Sequence, residues 1–396
     1  LVMPDYLSQL LPEERFLFSL CRLNFNDLQK QQVREFVSQV KDWNKFIRLS
    51  NDHGLISLCN YNLMEYRNNS IIPTEYLVKL QNGYYTSLIR NTAILKLLNT
   101  VLKLASENFI KIVLIKGIAL EKTVYRNKGL RQMNDLDILV RKDDAIKLRN
   151  LLLQKEFVSI PVVSPLHEKI LPYYGKHLPE MNKDGISVEI HFRLFDQSGD
   201  NLTSCFLEKS TTISGEEYPY SIPCPQLHFL YLIKHLEKHE SVGSSQIRLY
   251  NDLAILLSDY KNTVLNETLL EYAKEAGLIG ALIEKLFILK TFWGIKMPDY
   301  FLESAELPEK EKSIKKFTYF LRHPKEHHDD LKRDSLLKPI KDINGILNKS
   351  LFIFGYIFPS FVFMRYRYGV NSPLKTLLFY PIRWGKLVKL VLARTL

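Results

Sequence analysis

The clearest candidates for chemistry in this sequence are three acidic residues. Asp135 and Asp137 lie two residues apart, and the apolar residues 138–140 that follow predict a buried strand. Alternate residues of a strand project from one face, and paired like charges there are unfavourable without a cation, so Mg²⁺ or Mn²⁺ is the simplest explanation. Glu189, in a later predicted strand, could join them. Three carboxylates that hold two metal ions suit an in-line displacement at phosphorus.

A lysine and a glycine follow the first apolar segment of this region. Residues 110–115 predict a strand, Lys116 and Gly117 come next, and a short helix is expected over about 118–125. The N–H groups at the start of a helix favour anions, and a glycine there would let a triphosphate approach the backbone closely. Lys116 and Arg131 are candidate counter-charges, and Arg131 is the better suited to bidentate contact.

Each of these features has an ordinary structural alternative. A D-x-D pair on a strand is often solvated or structural, a lysine-glycine turn is usually only a turn, and Glu189 alone could be a sheet-edge acid. Their order along the chain (strand, K-G, helix, R-x-x-x-D-x-D, strand, E) favours a common site.

The hydrophobic periodicity of the sequence predicts the helices and strands that must position these residues, and it changes along the chain. Residues 5–105 have helical periodicity, with a long helix over 76–105 that is entered through Pro73. The middle part predicts strands over 110–115, 136–140, 157–163 and 186–194, helices over 118–125 and 143–154, and a loop over 164–185. Helical periodicity returns over 226–238, 247–257, 267–276, 279–292 and 310–321, and residues 323–342 predict a charged surface segment.

This order predicts an α+β fold in which a small mixed β-sheet core is flanked by N-terminal helices and a C-terminal helical domain. The expected division is an N-terminal helical region over 1–105, an α/β core over 106–222, a helical domain over 223–342 and a basic aromatic tail over 343–396.

Composition and motif content narrow the class of protein. The chain has 396 residues, of which 46% are hydrophobic and 24% charged, as expected for a folded protein with a real core. The four cysteines lie far apart without a C-x-x-C pair, which argues against a zinc ribbon or a disulfide framework and fits a reducing cytosol. Residues 1–9 have no signal-peptide pattern. No G-x-S-x-G, G-x-G-x-x-G or Walker A motif supports a hydrolase, Rossmann or P-loop protein.

The net charge of +11 is concentrated at the C-terminus. No acid follows Asp342, and the last 54 residues hold eight bases. A basic helix from Pro381 onward would suit an anionic membrane surface, and the alternative is a helix packed on the protein with its bases in solvent. The most apolar run, 351–364, is too short to span a bilayer as one helix. The expected location is cytoplasmic, with peripheral contact at the inner membrane surface.

Taken together, these motifs resemble the nucleotidyltransferase superfamily typified by DNA polymerase β, and more closely a bacterial branch of uncharacterised nucleotidyltransferases. That branch has a lysine-glycine pair, an arginine shortly before D-x-D-[IL]-L-V, and later V-E-[IL]-H-[WF]-R. The matching positions here are Lys116 and Gly117, Arg131, residues 135–140 and residues 188–193. The resemblance covers about residues 40–260, and its motifs are specific for a fold and a metal site but not for a substrate.

The resemblance implies roles for the acidic residues and for the phosphate side of the site. Asp135 and Asp137 would ligate the catalytic metals, and Glu189 would complete the metal that activates the acceptor hydroxyl. Lys116 and Gly117 would border the triphosphate. The implied cofactors are Mg²⁺ or Mn²⁺, with an NTP as substrate.

The predicted function is metal-dependent transfer of a nucleoside monophosphate from an NTP to an acceptor hydroxyl. A small molecule or saccharide is the preferred acceptor, and a protein side chain or an RNA end stays open. One departure from the family pattern is Ile118, where a serine usually helps to bind phosphate. The alternatives are a catalytically silent nucleotide- or metal-binding module and a membrane-surface scaffold of an envelope pathway. A nucleic-acid partner is disfavoured but not excluded, because no RNA-recognition motif is present.

Further candidates have an ordinary explanation beside the functional one. His191 could contact a phosphate or the acceptor, or be a half-buried sheet histidine. His235 and His239 have a spacing that zinc can use, but without an evident third ligand a satisfied helix face is favoured. Asp252 resembles a polar position that the family turns toward the cleft, and a simple ion pair is equally favoured. His177 could belong to a flexible substrate segment. Lys111 is expected to be solvated, and no role is expected for His323, His327 and His328.

Overall fold

The α+β fold predicted from the sequence is confirmed. The computed structural model describes residues 6, 9–66, 71–196, 200–303, 309–324, 340 and 343–392 of the chain. Its strands form a mixed sheet in the order β3-β4-β5-β2-β1-β7-β6. They are β1 (Val113–Leu114), β2 (Asp135–Leu139), β3 (Val158–Ser159), β4 (Met181–Lys183), β5 (Ile186–His191), β6 (Thr211–Ile213) and β7 (Tyr220–Ile222).

The centre of the sheet is formed by strands that the sequence predicts. β2 pairs in parallel with β5 and antiparallel with β1. The alternating residues Val188 and Ile190 of β5 are buried in a core between the sheet and two helices, whereas the intervening residues face the opposite side. This alternation leaves one face of β2 and β5 free to carry polar side chains.

Helices precede, interrupt and follow the sheet. Before it lie α1 (Pro12–Ser19), α2 (Asp27–Val37), α3 (Trp43–Asp52), α4 (Ile56–Asn62) and α5 (Thr74–Glu107). Within it lie α6 (Lys116–Leu120), which continues as a π-helical turn (Glu121–Tyr125), α7 (Lys142–Leu153), α8 (Pro165–Tyr174) and α9 (Asp200–Glu208). After it come α10 (Pro225–Ser241), α11 (Ile247–Val264), α12 (Glu267–Glu275), α13 (Ile279–Trp293), α14 (Tyr300–Glu303), α15 (Lys310–Arg322), α16 (Ile346–Ile357), α17 (Phe361–Tyr368) and α18 (Pro373–Leu392).

The helical predictions made from periodicity hold. The long helix after Pro73 is α5, and Pro73 is its N-cap residue rather than part of its first turn. The five helices predicted between residues 226 and 321 correspond to α10, α11, α12, α13 and α15. Each has an apolar face that is buried against its neighbours, which is why their period is visible in the sequence.

Two hydrophobic clusters hold most of these elements together. The larger cluster joins the N-terminal helices to α10, α11 and α13, so that residues on both sides of the sheet region share one core. The smaller cluster lies between α5, α7 and one face of the sheet. The N-terminal and C-terminal helices therefore pack together around the strands that carry the acidic residues.

The expected loop over 164–185 and the expected strand over 157–163 are wrong in part. Residues 165–174 form α8, which begins at Pro165 with Ser164 as its N-cap, and residues 181–183 form β4. Only Val158–Ser159 of the expected strand pairs with a neighbour. The serine-proline start signal of α8 was present in the sequence, but the density of Pro and Gly residues around it favoured a loop. β6, β7 and α9 were not predicted.

Candidate acidic site

The acidic residues lie on two adjacent parallel strands. In the register of β2 and β5, Asp137 is directly opposite Glu189, and Asp135 is opposite Ser187. Asp137 is buried, with 2% of its surface exposed, and Glu189 is half-buried. Because paired residues of neighbouring strands project from the same face, the carboxylates of Asp137 and Glu189 meet at one point of the sheet.

Lys116 brings an ammonium group between these two carboxylates. Its Nζ donates to Asp137 Oδ1 at 2.6 Å and to Glu189 Oε2 at 3.3 Å. Burial opposes the charge on Lys116, but Asp137 and Glu189 raise its pKa well above the ordinary value. Lys116 also has a left-handed backbone with φ of 51°, which costs a non-glycine residue about 1–2 kcal/mol.

His191 is the third member of the cluster. Its Nε2 lies 3.1 Å from Asp137 Oδ1 and 3.1 Å from Glu189 Oε2. Donor atoms of Asp137, Glu189 and His191 all lie within 4.8 Å of one another, a spacing that could hold a metal ion. The imidazole Nδ1 is buried and has no hydrogen-bond partner among the residues that the structure describes. His191 is thus more buried than the half-buried histidine of the ordinary alternative, and it contacts the acids directly.

Asp135 stands slightly apart from this cluster. It is not a member of the close group that Asp137, Glu189 and His191 form. Burial and the negative charge of Asp137 raise the pKa of Asp135 to about 6. For Glu189 burial acts in the same direction, but the hydrogen bond from His191 and the charge of Lys116 outweigh it and lower the pKa. The protein therefore compensates the negative charge of Glu189 better than that of Asp135.

Arg131 is held behind the site by a buried ion pair. Its Nε and Nη2 donate to both carboxylate oxygens of Asp252, with a shortest distance of 2.7 Å, and Tyr125 Oη donates to Asp252 Oδ1 at 2.9 Å. Asp252 is 1% exposed. Of the two explanations given for Asp252, the structure therefore shows the ion pair. The Nε–Nη2 edge of Arg131 is therefore occupied by Asp252.

Position 117 is crowded by the side chain of Arg131. A Cβ atom at position 117 would lie 2.1 Å from Arg131 Nη1. The glycine at position 117 was expected to leave room for a triphosphate. The contact with Arg131 is a second explanation for it, which needs no ligand. Gly117 lets the guanidinium pass directly over the first turn of α6, where Nη1 lies close to the start of the helix that Lys116 begins.

One face of α10 forms a wall beside the cluster, and sequence reasoning did not assign it to the site. Tyr231, His235 and Lys238 all interact electrostatically with Lys116. Burial and the Lys116 ammonium lower the pKa of both His235 and Lys238, and burial raises the pKa of Tyr231. The spacing 231, 235, 238 places the three on one helix face. That spacing was the available signal, but it does not say what the face contacts.

The other histidines and Lys111 have structural contacts. His177 forms an isolated bridge with His191, their rings lie 5.2 Å apart, and burial and His191 lower the pKa of His177. The rings of His235 and His239 lie 4.6 Å apart, and among the described residues neither joins a group of three metal donors. Lys111 is not merely solvated, since its Nζ donates to Leu207 O at 2.9 Å. His323 contacts Tyr319 O, and His327 and His328 lie outside the described residues.

A comparison with protein families identifies the family of this chain. A search of curated proteins finds no match. The model of one family, described as uncharacterised nucleotidyltransferase, matches residues 39–294, which is 256 of the 396 residues. The match includes both strands that carry the acids, the turn at Lys116 and the α10 wall. Because the match spans well over half of the chain, the protein belongs to this family of uncharacterised nucleotidyltransferases.

Proposed function

We propose that this protein transfers a nucleoside monophosphate from an NTP to an acceptor hydroxyl, with a divalent cation bound by Asp137 and Glu189 and supported by Asp135. The observation that carries the proposal is the register of β2 and β5, which sets Asp137 opposite Glu189. Membership of the nucleotidyltransferase family supports the reaction class. The mixed sheet with acids on neighbouring strands is also consistent with the polymerase β-like superfamily suggested by the sequence motifs.

The residues present fit a divalent cation. Two carboxylates converge on one point and are already compensated there by a cation of the protein, the Lys116 ammonium. Carboxylate oxygens are the preferred ligands of Mg²⁺, and an imidazole such as His191 extends the choice to Mn²⁺. A divalent cation bound there would supply the positive charge that stabilises the leaving pyrophosphate and acidifies the acceptor hydroxyl.

In this proposal Lys116 contacts the two carboxylates before substrate binds and the phosphates of the substrate afterwards. Its ammonium holds Asp137 and Glu189 together when no substrate is bound, at 2.6 and 3.3 Å. With a divalent cation held by Asp137 and Glu189, the Lys116 ammonium would be available to contact phosphate. Its side chain is therefore a candidate for coupling cation binding to triphosphate binding, and it compensates for Ile118, which offers no hydroxyl to phosphate.

Arg131, Asp252 and the α10 wall complete the proposed site. The buried pair of Arg131 and Asp252 fixes the guanidinium over Gly117, and Nη1 is the part of Arg131 that is left for an anion. The α10 wall supplies polar groups beside the acids, where an acceptor would have to approach. We propose a small molecule or a saccharide as that acceptor, because no RNA-recognition motif is present.

The first experiment is calorimetric titration of the four NTPs in the presence of Mg²⁺ or Mn²⁺. The proposal expects metal-dependent binding of at least one NTP by the wild type and its loss in Asp135→Asn/Asp137→Asn. Asp143→Asn, an exposed acid on α7, is the matched control and should bind like the wild type. Circular dichroism establishes that all the proteins are folded. If no NTP binds to the folded wild type with either metal, the proposal is wrong.

Transfer itself is followed with α-labelled nucleotide and pools of small molecules and saccharides. Label that appears on an acceptor with the wild type and not with the double variant supports catalysis. Metal-dependent NTP binding with no transfer to any acceptor class, including protein and RNA, would instead favour the catalytically silent binding module.

A further inference from the structure

We infer that the C-terminal unit, defined as α16, α17 and α18, is a docking surface for an anionic lipid bilayer and lies flat on it. This inference is independent of the proposed catalytic function. It depends on where this unit places its apolar, basic and polar side chains.

The helix α18 is packed with its apolar side outward. Leu374, Leu377 and Leu378 have exposed fractions of 76%, 56% and 68%. The side chains that α18 buries include Thr376, which is 0% exposed, and Arg383, which is 8% exposed. A helix that packs on a water-soluble protein normally buries its apolar stripe and exposes its polar residues. Here three leucines are exposed, whereas a threonine and an arginine are buried.

The interior of the unit is held by polar contacts to backbone carbonyls of the preceding helices. Arg383 Nη2 donates to Tyr356 O at 3.1 Å, and the guanidinium also lies over the ring of Tyr356. Trp384 Nε1 donates to Ile357 O at 2.8 Å, and Tyr380 Oη donates to Pro359 O at 2.9 Å. These contacts determine which face of α18 points inward, so the outward apolar stripe is a feature of the packed unit.

The helix α16 also exposes apolar side chains. Exposed apolar residues recur along one side of α16 and onto α17, and such a contiguous patch on a protein surface marks an interaction site. They are Ile346, Leu347, Ile353, Phe354, Ile357, Phe358, Phe361 and Val362. Among the residues that the structure describes, no single helix has the length and apolarity to cross a bilayer. The pair α16 and α17 meets those criteria together but is bent by 53°.

Charge determines the partner that fits this surface. Residues 343–396 contain no acid, and basic residues flank the apolar stripes at positions that include Lys375 and Lys386, both exposed. Aliphatic side chains beside lysine and arginine suit the boundary between acyl chains and anionic headgroups. A second copy of the unit would set bases against bases, and the mainly aliphatic stripe of α18 offers little stacking for nucleic-acid bases.

The unit is fixed to the α/β core through α8. Gly355 of α16 approaches so closely that a Cβ atom there would lie 2.3 Å from Ser164 Oγ and 2.7 Å from His167 Nδ1. Ser360 N donates to Val163 O at 2.7 Å. A bilayer bound by the unit would therefore hold the whole enzyme at a defined attachment point.

Vesicle flotation of the full chain tests this inference, with phosphatidylcholine vesicles compared with equimolar phosphatidylcholine and phosphatidylglycerol. We expect flotation with the anionic vesicles only. Leu377→Asp/Leu378→Asp should lower the partition coefficient by about tenfold or more for each leucine. Lys375→Gln/Lys386→Gln should lower it by roughly 25-fold, since each surface base contributes about fivefold.

Matched variants outside the unit separate a local surface from a general effect of charge. Ile89→Asp/Phe109→Asp replaces two exposed apolar residues elsewhere, and Lys96→Gln/Lys103→Gln removes two exposed bases of α5. Both should float like the wild type. Circular dichroism and urea unfolding check that each variant is folded, and flotation needs no nucleotide, so failure of the catalytic proposal would leave this result unaffected.

Several outcomes would overturn the inference. They are equal flotation with neutral and anionic vesicles, unchanged flotation of the leucine variant, and loss of flotation in the control variants. The inference is also wrong if the wild type does not float but forms a dimer that Leu377→Asp/Leu378→Asp dissociates. Absence of flotation together with salt-sensitive binding of RNA through the same residues would overturn it in favour of nucleic acid.

Discussion

The acidic site and the C-terminal unit handle charge in opposite ways. At the site, carboxylates are turned inward and are compensated by Lys116 and His191. In the unit, described bases are mostly exposed beside exposed leucines and isoleucines, while Arg383 is buried. A buried set of acids suits a small cation and the phosphates it accompanies, whereas an exposed set of bases suits an extended anionic surface. The difference agrees with the two partners that we propose, a small cation at the acidic site and an extended anionic surface at the C-terminal unit.

Replacement of Asp137 should have the largest effect. We expect Asp137→Asn to weaken metal-dependent NTP binding by at least about a hundredfold, because ligand loss costs more than the 10- to 100-fold typical of supporting residues. Asp135→Asn should have a smaller effect, since Asp135 lies outside the close group of donors. Calorimetry in Mg²⁺ measures both. Equal losses would show that the two acids contribute alike, contrary to the geometry.

Removal of the buried charge behind the site should reduce stability. We expect Asp252→Asn to lower the free energy of unfolding by about 3–5 kcal/mol, because the Arg131 charge is left buried without its partner. Asp259→Asn on the same helix is the matched control. Its partner Arg126 is exposed and lies 3.6 Å away, so the loss should stay within about 1 kcal/mol. Urea unfolding measures both, and similar losses would contradict a special role for the Arg131 pair.

Substitution of two glycines by alanine compares a crowded position with an open one. Gly117→Ala should lower the free energy of unfolding by about 3 kcal/mol, because the new Cβ collides with a guanidinium that Asp252 holds in place. At Gly280 in α13 a Cβ atom would meet no described residue within 4 Å beyond its own helix, so Gly280→Ala should stabilise the protein by about 0.5–1 kcal/mol. Thermal unfolding compares the two variants. If Gly117→Ala instead changes the free energy of unfolding as little as Gly280→Ala, Arg131 moves aside freely for the new Cβ atom.

Acidification should weaken the attachment of the C-terminal unit to α8. Burial, together with the charge of Arg383, lowers the pKa of His167 from 6.5 to about 4. The unfolded chain then binds more protons than the folded one between these values, so stability falls as the pH falls. We expect a loss of about 2 kcal/mol between pH 7 and pH 5. Urea unfolding followed by tryptophan fluorescence measures it, and His167→Gln should remove this part of the pH dependence.

Much of the fold could be predicted because its signals are local. Helices α5, α10, α11, α12, α13 and α15 bury one face each, so their period is present in the sequence. The D-x-D segment becomes β2 because a buried apolar run follows two residues that share a face. Helix α8 was not predicted, although its N-cap serine and first-turn proline are local signals. The residues that cover its buried face belong to α16, which lies far away in the sequence.

The composition of the candidate site could be predicted only in part. Asp137, Glu189 and His191 were identified from their motifs, and the strands bring them together. The position of the Lys116 ammonium between two acids, the collision that makes position 117 a glycine, and the α10 wall depend on contacts between segments many residues apart. No local pattern encodes those distances.

The class of fold, the acidic and basic residue types and the uneven distribution of charge are visible in the sequence alone. These properties follow from periodicity and side-chain chemistry, which act over a few residues. Which charges meet and which face solvent depends instead on the three-dimensional packing. Asp252 is compensated by Arg131, and α18 turns Arg383 inward and its leucines outward. The physical reason is that burial and pairing depend on packing between distant segments, and the same side chain is costly or stabilising according to what the fold places beside it.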